Sequence, residues 1–208
     1  MKPYFIKTPS FLKLFFNNWT WSFSRKNKVI YLTFDDGPTP EITTWVLKEL
    51  AKYNAEATFF CIGKNIQENT EIYQKIIEAK HSIGNHTFNH LNGWKTTTYA
   101  YIDDCIKTTN FINNTSKLFR PPYGKLSLSQ SKKLRKQGYK IIMWDVLSAD
   151  FDLKISPEKC LENVVRNTEN GSIIVFHDSL KAKEKLYYVL PKILEYYSHK
   201  GYSFKKIT

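Results

Sequence analysis

The amino-acid sequence predicts an α/β fold, in which helices cover a parallel sheet or barrel. From residue 29 to the C-terminus, short apolar runs alternate with longer amphipathic segments, a pattern typical of strands alternating with helices. The apolar runs are continuous, as expected for parallel strands buried on both faces. The length of 208 residues fits one domain plus a short extension. We place the extension at residues 1–27 and the domain at residues 28–208.

Seven strands and six helices are predicted. A hydroxyl residue followed by proline, which caps a helix and then occupies its first turn, marks helix starts at Thr39-Pro40 and Ser156-Pro157. The first of these helices should end near residue 54, and Gly138 should end a helix spanning residues 127–137. The remaining helices are expected at residues 71–79, 99–112 and 184–200. The strands are expected at residues 29–34, 57–62, 82–85, 118–120, 140–146, 172–176 and 202–207.

Charge is the most unusual bulk property of the chain. It has 31 Lys and Arg against 19 Asp and Glu, a net charge of +12, which by itself indicates a polyanionic partner. The basic residues are 27 lysines and only 4 arginines, whereas proteins that recognise a nucleic-acid sequence favour arginine. We therefore expect no specific nucleic-acid partner, and at most weak association with anionic polymers such as those of a cell wall.

The cysteines and the N-terminal segment bear on compartment. Cys61, Cys105 and Cys160 are widely spaced with no CxxC pair, which excludes thiolate zinc and favours buried free thiols. The apolar run at residues 11–16 is interrupted by a lysine and is far too short for a signal-peptide core or a membrane span. We interpret residues 1–27 as an aromatic-rich extension packed on the domain, with peripheral membrane contact as an alternative. By sequence alone we expect a cytoplasmic monomer.

Polar side chains stand at the carboxyl ends of five predicted strands. They are Asp35, Asp36, His86, His90, Arg120, Asp150 and His177. Working residues of α/β proteins lie at these strand ends. Each has an ordinary alternative, because Asp-Asp-Gly-Pro is good turn chemistry and a buried histidine or arginine can be a structural hydrogen-bond or ion-pair partner. Their joint occurrence at five strand ends favours one functional site.

His86 and His90 are spaced so that they can share a metal ion. Residues four apart lie on one face of a helical turn, and imidazole is a common zinc ligand. Two histidines and one carboxylate form an incomplete coordination shell, and open positions are what a catalytic metal needs. Asp35 and Asp36 point to opposite faces of an extended chain. One can therefore hold the cation while the other handles a proton.

These motifs together resemble a known family. The segments TFDDGP (33–38), HTFNH (86–90), RPPYG (120–124) and VFHD (175–178), with residues 144–151, are similar in order and spacing to the NodB-homology polysaccharide deacetylases, carbohydrate esterase family 4. The resemblance extends from about residue 28 to the C-terminus. It implies a distorted parallel (β/α) barrel of about seven strands. It also implies removal of N-acetyl groups from N-acetylglucosamine-containing glycans, of the chitooligosaccharide or peptidoglycan type, and a location at the cell envelope.

The resemblance implies a role for each site residue. Asp36, His86 and His90 match the metal triad, which usually holds zinc, with Co²⁺, Ni²⁺ or Mn²⁺ tolerated. The catalytic set comprises the general base Asp35, its partner Arg120, the general acid His177, and Asp150, which orients and charges that acid. Substrate contacts are implied for Tyr123, whose backbone N–H helps bind the oxyanion, and for the pocket residues Phe151 and Val175.

Three positions depart from the family pattern. Phe151 stands where the family usually has Trp, and Val175 where it usually has Leu, so the pocket remains apolar but changes in size. Leu147 replaces a carboxylate often found in that segment.

Other functions open to the same residues are an O-acetyl xylan esterase, a non-catalytic glycan-binding domain, and an iron oxygenase with two histidines and one carboxylate. A glycosidase is unfavoured, since adjacent carboxylates cannot straddle a glycosidic bond.

Overall fold

The computed structural model describes residues 4–112 and 116–208, which form a curled sheet of parallel strands with helices packed against it. The strands in these residues are β1 (Val29–Asp35), β2 (Ala57–Cys61), β3 (Ser82–Asn85), β4 (Leu118–Phe119), β5 (Lys140–Ile141), β6 (Val146–Leu147), β7 (Ile173–His177) and β8 (Ser203–Phe204). Their order across the sheet is β5-β4-β3-β2-β1-β7-β6, and β8 pairs with the start of β1. The predicted parallel α/β barrel is confirmed.

Helices occupy most of the connections between strands. They are α1 (Ser10–Phe15), α2 (Ile42–Ala51), α3 (Gly63–Glu68), α4 (Thr70–Glu78), α5 (Thr98–Thr109), α6 (Leu128–Lys136), α7 (Pro157–Asn167) and α8 (Lys183–His199). The predicted cap of α7 is present, because the Ser156 hydroxyl accepts a hydrogen bond from the Lys159 N–H. The Ser127 hydroxyl caps α6 in the same way, by accepting from the Gln130 N–H, and this cap was not predicted. None of the helices in the described ranges is both long and apolar enough to span a membrane.

Two predicted elements differ in the structure, and α3 is an additional helix. The single strand expected at residues 140–146 is two strands, β5 and β6, which lie at opposite edges of the sheet. Helix α2 begins at Ile42, and the Thr39 hydroxyl does not cap it; instead the Thr39 N–H donates to the Thr43 hydroxyl. Helix α3 was not predicted, since it is short and buries only Gly63 and Ile66.

The core lies on both sides of β1. Leu32 and Phe34 point towards the helices and pack with apolar side chains of α2 and α8. Thr33 and Asp35 point to the other side of the strand, because successive side chains alternate. Both contact Arg120 there. The alternation therefore separates the structural side chains of β1 from those that reach the site.

Residues 4–27 lie along the gap between β5 and β6. Thr20 bonds through its backbone to Ile141 and Met143, and Trp19 and Trp21 are buried in a cluster with Tyr139 and other apolar residues. Residues 1–3 of the predicted extension lie outside the described residues. The predicted free cysteines are buried and unpaired, and burial raises the pKa of each thiol.

Candidate active site

The register of the sheet aligns the carboxyl ends of its central strands. Asp35 is paired across the sheet with Phe60 on one side and His177 on the other. Asn85, which precedes His86, is level with Cys61 and Phe119. These strand ends open into a cavity of about 850 Å³. The structure brings all ten predicted residues to this end of the sheet: eight line the cavity, and Arg120 and Asp150 are fully buried beside it.

Three of the predicted residues form a compact group of ligand atoms. Nε2 of His90 lies 3.3 Å from Asp36 Oδ1, and Nε2 of His86 lies 3.7 Å from the same oxygen. The three ligand atoms all lie within 4.8 Å of one another. Ligands about 2.0–2.2 Å from a tetrahedral zinc ion are about 3.3–3.6 Å apart, so two of these separations are close to those of a shared metal ion.

Neighbouring groups orient both imidazoles. His86 Nδ1 donates to the Arg120 carbonyl at 2.8 Å, and His90 Nδ1 lies 3.0 Å from the Tyr123 hydroxyl. Each contact leaves Nε2 directed at Asp36. Burial lowers the pKa of His86 to about 4 despite the attraction of Asp35. The neutral imidazole is the form that binds a metal.

Asp36 carries the strongest sign that a cation belongs here. Its Oδ1 is buried and has no hydrogen-bond partner within residues 4–112 and 116–208. Burial opposes its ionisation, but contact with His90 and the positive charge of His177 hold the pKa of Asp36 well below its usual value. A buried, ionised and unpartnered oxygen between two imidazole rings fits a divalent metal ion.

Asp35 is held by an arginine that is itself fully enclosed. Arg120 Nη1 donates to Asp35 Oδ1 at 2.7 Å and to the Thr33 hydroxyl at 2.6 Å. The guanidinium carbon lies 4.1 Å from the centre of the Phe60 ring, close enough for a cation–π contact. The carboxylate is therefore fixed through one oxygen, and its charge is compensated.

His177 is held by Asp150 through two hydrogen bonds. Its Nδ1 donates to Asp150 Oδ1 and its backbone N–H donates to Oδ2, both at 2.7 Å. Burial disfavours the imidazolium, but attraction to Asp150 outweighs it, and the pKa of His177 is raised to about 10. Bound in this way, His177 carries a proton at neutral pH.

The loops that carry these residues contain unusual backbone. Residues with left-handed φ angles that are not glycine are concentrated here: Asp36 (83°), Thr87 (64°), His90 (56°), Tyr123 (59°) and Ala149 (62°). Such conformations cost roughly 1–3 kcal/mol each and concentrate at functional sites. At Asp36 the left-handed turn directs the side chain to the histidines, while Asp35 still faces Arg120.

The apolar side of the cavity includes the departures from the family pattern. Phe151 packs edge-on against the His177 ring, with centroids 5.3 Å apart. Tyr4, which was not predicted, packs against Phe151 at 5.5 Å and donates from its hydroxyl to Asp152 at 2.6 Å. Val175 also lines this wall. The N-terminal segment thus contributes a side chain to the cavity.

Two buried carboxylates that the sequence did not reveal hold the site loops. Asp178 accepts from the Gly37 N–H at 3.1 Å and from the Thr43 hydroxyl. Asp104 accepts from the backbone N–H groups of Phe88 and Asn89, at 2.8 and 2.9 Å. Asp178 belongs to the VFHD motif, which was a usable signal, whereas Asp104 is an ordinary acidic residue of a helix.

The chain is similar to proteins of known activity. A family profile described as polysaccharide deacetylase matches residues 24–142. The chain is 33% identical over 193 residues to a peptidoglycan-N-acetylglucosamine deacetylase of Bacillus cereus, covering 91% of each. The crystal structure of the Bc1960 peptidoglycan N-acetylglucosamine deacetylase has a TM-score of 0.88 at 31% identity, over 96% of this chain and 95% of that one. A carbohydrate esterase family 4 pseudoenzyme from Bacillus anthracis has a TM-score of 0.79 at 25% identity, over 90% and 66%.

Proposed function

This chain belongs to the polysaccharide deacetylase family, and we propose that it hydrolyses the acetamido group of N-acetylglucosamine residues in peptidoglycan. The predicted family and enzyme class are confirmed. The observation that carries the proposal is the pairing of Asp35 with His177 across adjacent strands, beside Asp36, His86 and His90. One partner is a carboxylate and the other is protonated. Amide hydrolysis needs both a proton acceptor and a proton donor.

The acceptor in this scheme is Asp35. Arg120 occupies Oδ1, so Oδ2 is the atom that takes a proton from the attacking water. The buried guanidinium keeps the carboxylate from rotating and compensates its charge. General base catalysis of this kind contributes typically about 10²–10⁴-fold.

The donor is His177. Asp150 occupies Nδ1, so Nε2 faces the cavity and gives its proton to the leaving amine. Asp150 fixes both the ring orientation and the charge, because it bonds to the ring and to the backbone of the same residue. Phe151 packs on the ring from the apolar side. Phe151 and Val175 also line the space for the acetyl methyl group, and the Tyr123 backbone N–H stabilises the developing oxyanion.

Asp36, His86 and His90 would hold the metal ion of the family. When bound, a divalent ion lowers the pKa of water and polarises the acetyl carbonyl. We propose Zn²⁺ as this ion, since one carboxylate and two imidazoles are typical zinc ligands, with Co²⁺, Ni²⁺ or Mn²⁺ as substitutes. The metal-free enzyme should therefore be inactive and should recover on addition of the metal.

Peptidoglycan is proposed as the substrate because the Bacillus cereus relative and the Bc1960 structure are named for it. An iron oxygenase is unfavoured, since it would leave Asp35 and His177 without a task. A non-catalytic glycan-binding role is unfavoured, since the base, the acid and their partners Arg120 and Asp150 are all present and paired. We further propose that the enzyme acts as a monomer, because each proposed role is filled by a residue of this chain.

The test uses purified protein, stripped of metal and reconstituted with Zn²⁺. Peptidoglycan fragments, chitooligosaccharides and acetylated xylan are incubated separately, and mass spectrometry follows the loss of single acetyl units. We expect acetate release from the N-acetylglucosamine substrates and none after chelation. Acetate release from acetylated xylan alone would show that the enzyme hydrolyses an ester and not the proposed amide. Absence of release from every substrate, with metal bound at one ion per chain, would refute the proposal.

A further inference from the structure

Asp145 binds three cations of the N-terminal segment. Its carboxylate is fully buried; Lys7 Nζ lies 2.9 Å and Arg25 Nη2 3.0 Å from Oδ2, and Lys13 Nζ contacts Oδ1. The Ser172 hydroxyl also donates to Oδ2 at 2.6 Å. Burial opposes its charge, yet these hydrogen bonds hold the pKa of Asp145 well below its usual value. One cation would neutralise the carboxylate. Because three cations contact its two oxygens, they also fix the position of the Asp145 side chain.

Asp145 belongs to the crossing segment, which we define as residues 142–145 between β5 and β6. Two carbonyls of this segment bind Arg120: Nε donates to Ile142 at 3.2 Å and Nη2 donates to Met143 at 2.8 Å. The remaining nitrogen, Nη1, is the one that reaches Asp35. The position of the crossing segment therefore determines where the guanidinium meets the proposed base.

The N-terminal segment binds the last three residues of the crossing segment through Thr8 and Thr20. The Met143 N–H donates to the Thr20 carbonyl at 2.7 Å. Thr8 donates twice, from its hydroxyl to the Trp144 carbonyl at 2.8 Å and from its N–H to the Asp145 carbonyl at 2.9 Å. Thr20 thus binds one of the two residues that present a carbonyl to Arg120, and Thr8 and the ion pairs of Asp145 hold the two residues that follow it.

We propose that Asp145 is a positioning residue. Held by Lys7, Lys13 and Arg25, it keeps the crossing segment where its carbonyls orient Arg120 against Asp35. The inference rests on the proposed function, since it takes Asp35 as the base. It also gives the N-terminal segment a task in the site, although most of that segment precedes the region matched by the family profile.

The test compares Asp145→Asn with Glu169→Gln. Glu169 pairs with two of the same cations, Lys7 at 3.2 Å and Arg25 at 3.7 Å, but it is 60% exposed and lies outside the crossing segment. A displacement of about 1 Å in a catalytic group can cost about 100-fold in rate. We expect Asp145→Asn to lower kcat about 10–100-fold with KM and bound metal unchanged. Glu169→Gln should stay within about twofold of the wild type.

Two further measurements separate positioning from a loss of structure. In a double-mutant cycle with Arg120→Lys, the effect of Asp145→Asn should shrink, because both changes act through one guanidinium. The Arg120 Nε–H can be followed by NMR, since the chain has 4 arginines. This proton should be protected from solvent exchange in the wild type and should exchange at least tenfold faster in Asp145→Asn. The NMR result does not depend on deacetylase activity, so its failure is distinct from that of the proposed function.

Lys13→Met provides the milder variant if Asp145→Asn does not fold. Two cations remain beside Asp145 in this variant, and a several-fold fall in kcat with faster exchange at Arg120 is expected. A folded Asp145→Asn protein with wild-type kcat and a protected Arg120 Nε–H would overturn the proposal. Additive effects in the cycle with Arg120→Lys would overturn it too, and so would a Lys13→Met protein that matches the wild type in both measurements.

Discussion

Asp150→Asn removes the charge that holds the proton on His177 and keeps the shape of the side chain. The amide oxygen of asparagine can still accept one hydrogen bond from the ring or the backbone. In the wild type the pKa of His177 is about 10, compared with an ordinary value of 6.5. At 1.36 kcal/mol per unit, this difference corresponds to about 5 kcal/mol in favour of the imidazolium. Burial opposes it, and Asp150 makes the largest favourable contribution.

The variant should therefore lose its general acid in the alkaline part of the pH range. An opposite charge at this distance is worth about 1–3 pKa units, and the direct hydrogen bond at 2.7 Å places Asp150 at the upper end of that range. A divalent ion bound by Asp36 would weaken the attraction of Asp36 for His177 and leave Asp150 as the principal partner. We expect the basic limb of the kcat/KM profile to move down by about two units or more. The rate should then fall about two- to tenfold at pH 8 and about ten- to a hundredfold at pH 9, because the protonated fraction of His177 falls by these factors.

The assay is acetate release from a chitooligosaccharide between pH 5 and 10, with Asp152→Asn as the matched control. Asp152 is the next carboxylate along the chain, and it bonds to Tyr4 rather than to His177. Its variant should keep the wild-type basic limb. If Asp150→Asn retains both the wild-type limb and the wild-type rate at pH 8, His177 is not the general acid that Asp150 charges.

The same pair predicts how stability depends on pH in the metal-free protein. The folded pKa of His177 lies above its unfolded value, so the pair stabilises the fold fully below about pH 6.5, and this contribution is lost as pH rises through about 10. Denaturant titrations of the wild type should show a fall in the free energy of unfolding across that window. In Asp150→Asn most of this fall should be missing.

Three further changes address the rest of the site. Asp35→Asn should lower kcat about 10²–10⁴-fold while the bound metal, measured by elemental analysis, stays at the wild-type level; loss of metal would show that Asp35 is a ligand instead. His86→Ala should abolish metal binding in isothermal titration, because one of three ligand atoms is removed; wild-type affinity would contradict the triad. Gly37→Ala places a Cβ 2.0 Å from Asp178 Oδ2, so it should destabilise the protein by about 1–3 kcal/mol in denaturant titrations and weaken metal binding; an unchanged midpoint would mean that the Asp178 contact is not rigid.

The convergence of the site residues could be predicted because parallel strands carry their carboxyl ends to one edge. Asp35 and His177 are 142 positions apart in the chain, yet they are direct partners across β1 and β7. This placement needs only the strand assignment and the rule for strand ends. The finer geometry could not be predicted in this way. The left-handed φ of Asp36, and the contact between the Tyr123 hydroxyl and His90, depend on loops with no periodic pattern.

Buried carboxylates were the systematic gap in the sequence prediction. Asp104, Asp145 and Asp178 are acidic residues, which are mostly exposed in proteins, and their burial depends on partners far away in the chain. Asp145 is enclosed only because Lys7, Lys13 and Arg25 reach it from more than 100 positions away. The local sequence pattern around an acidic residue does not indicate such distant partners. Part of the positive charge of the chain is therefore paired with a buried carboxylate.

The gap in the barrel explains why three cations of the N-terminal segment bind Asp145. In a closed barrel each strand is held by hydrogen bonds to two neighbours, but here β5 and β6 are the two edges and the chain crosses the gap at residues 142–145. The carbonyls that hold Arg120 lie in this crossing. Carbonyls that orient a buried guanidinium must be held firmly, and an unpaired sheet edge does not hold them in this way. The N-terminal segment supplies the missing pairing, through the backbone of Thr20 and through three cations on one carboxylate. The charged N-terminal segment thus closes the gap of the open barrel, and in doing so it holds Arg120 against the proposed base.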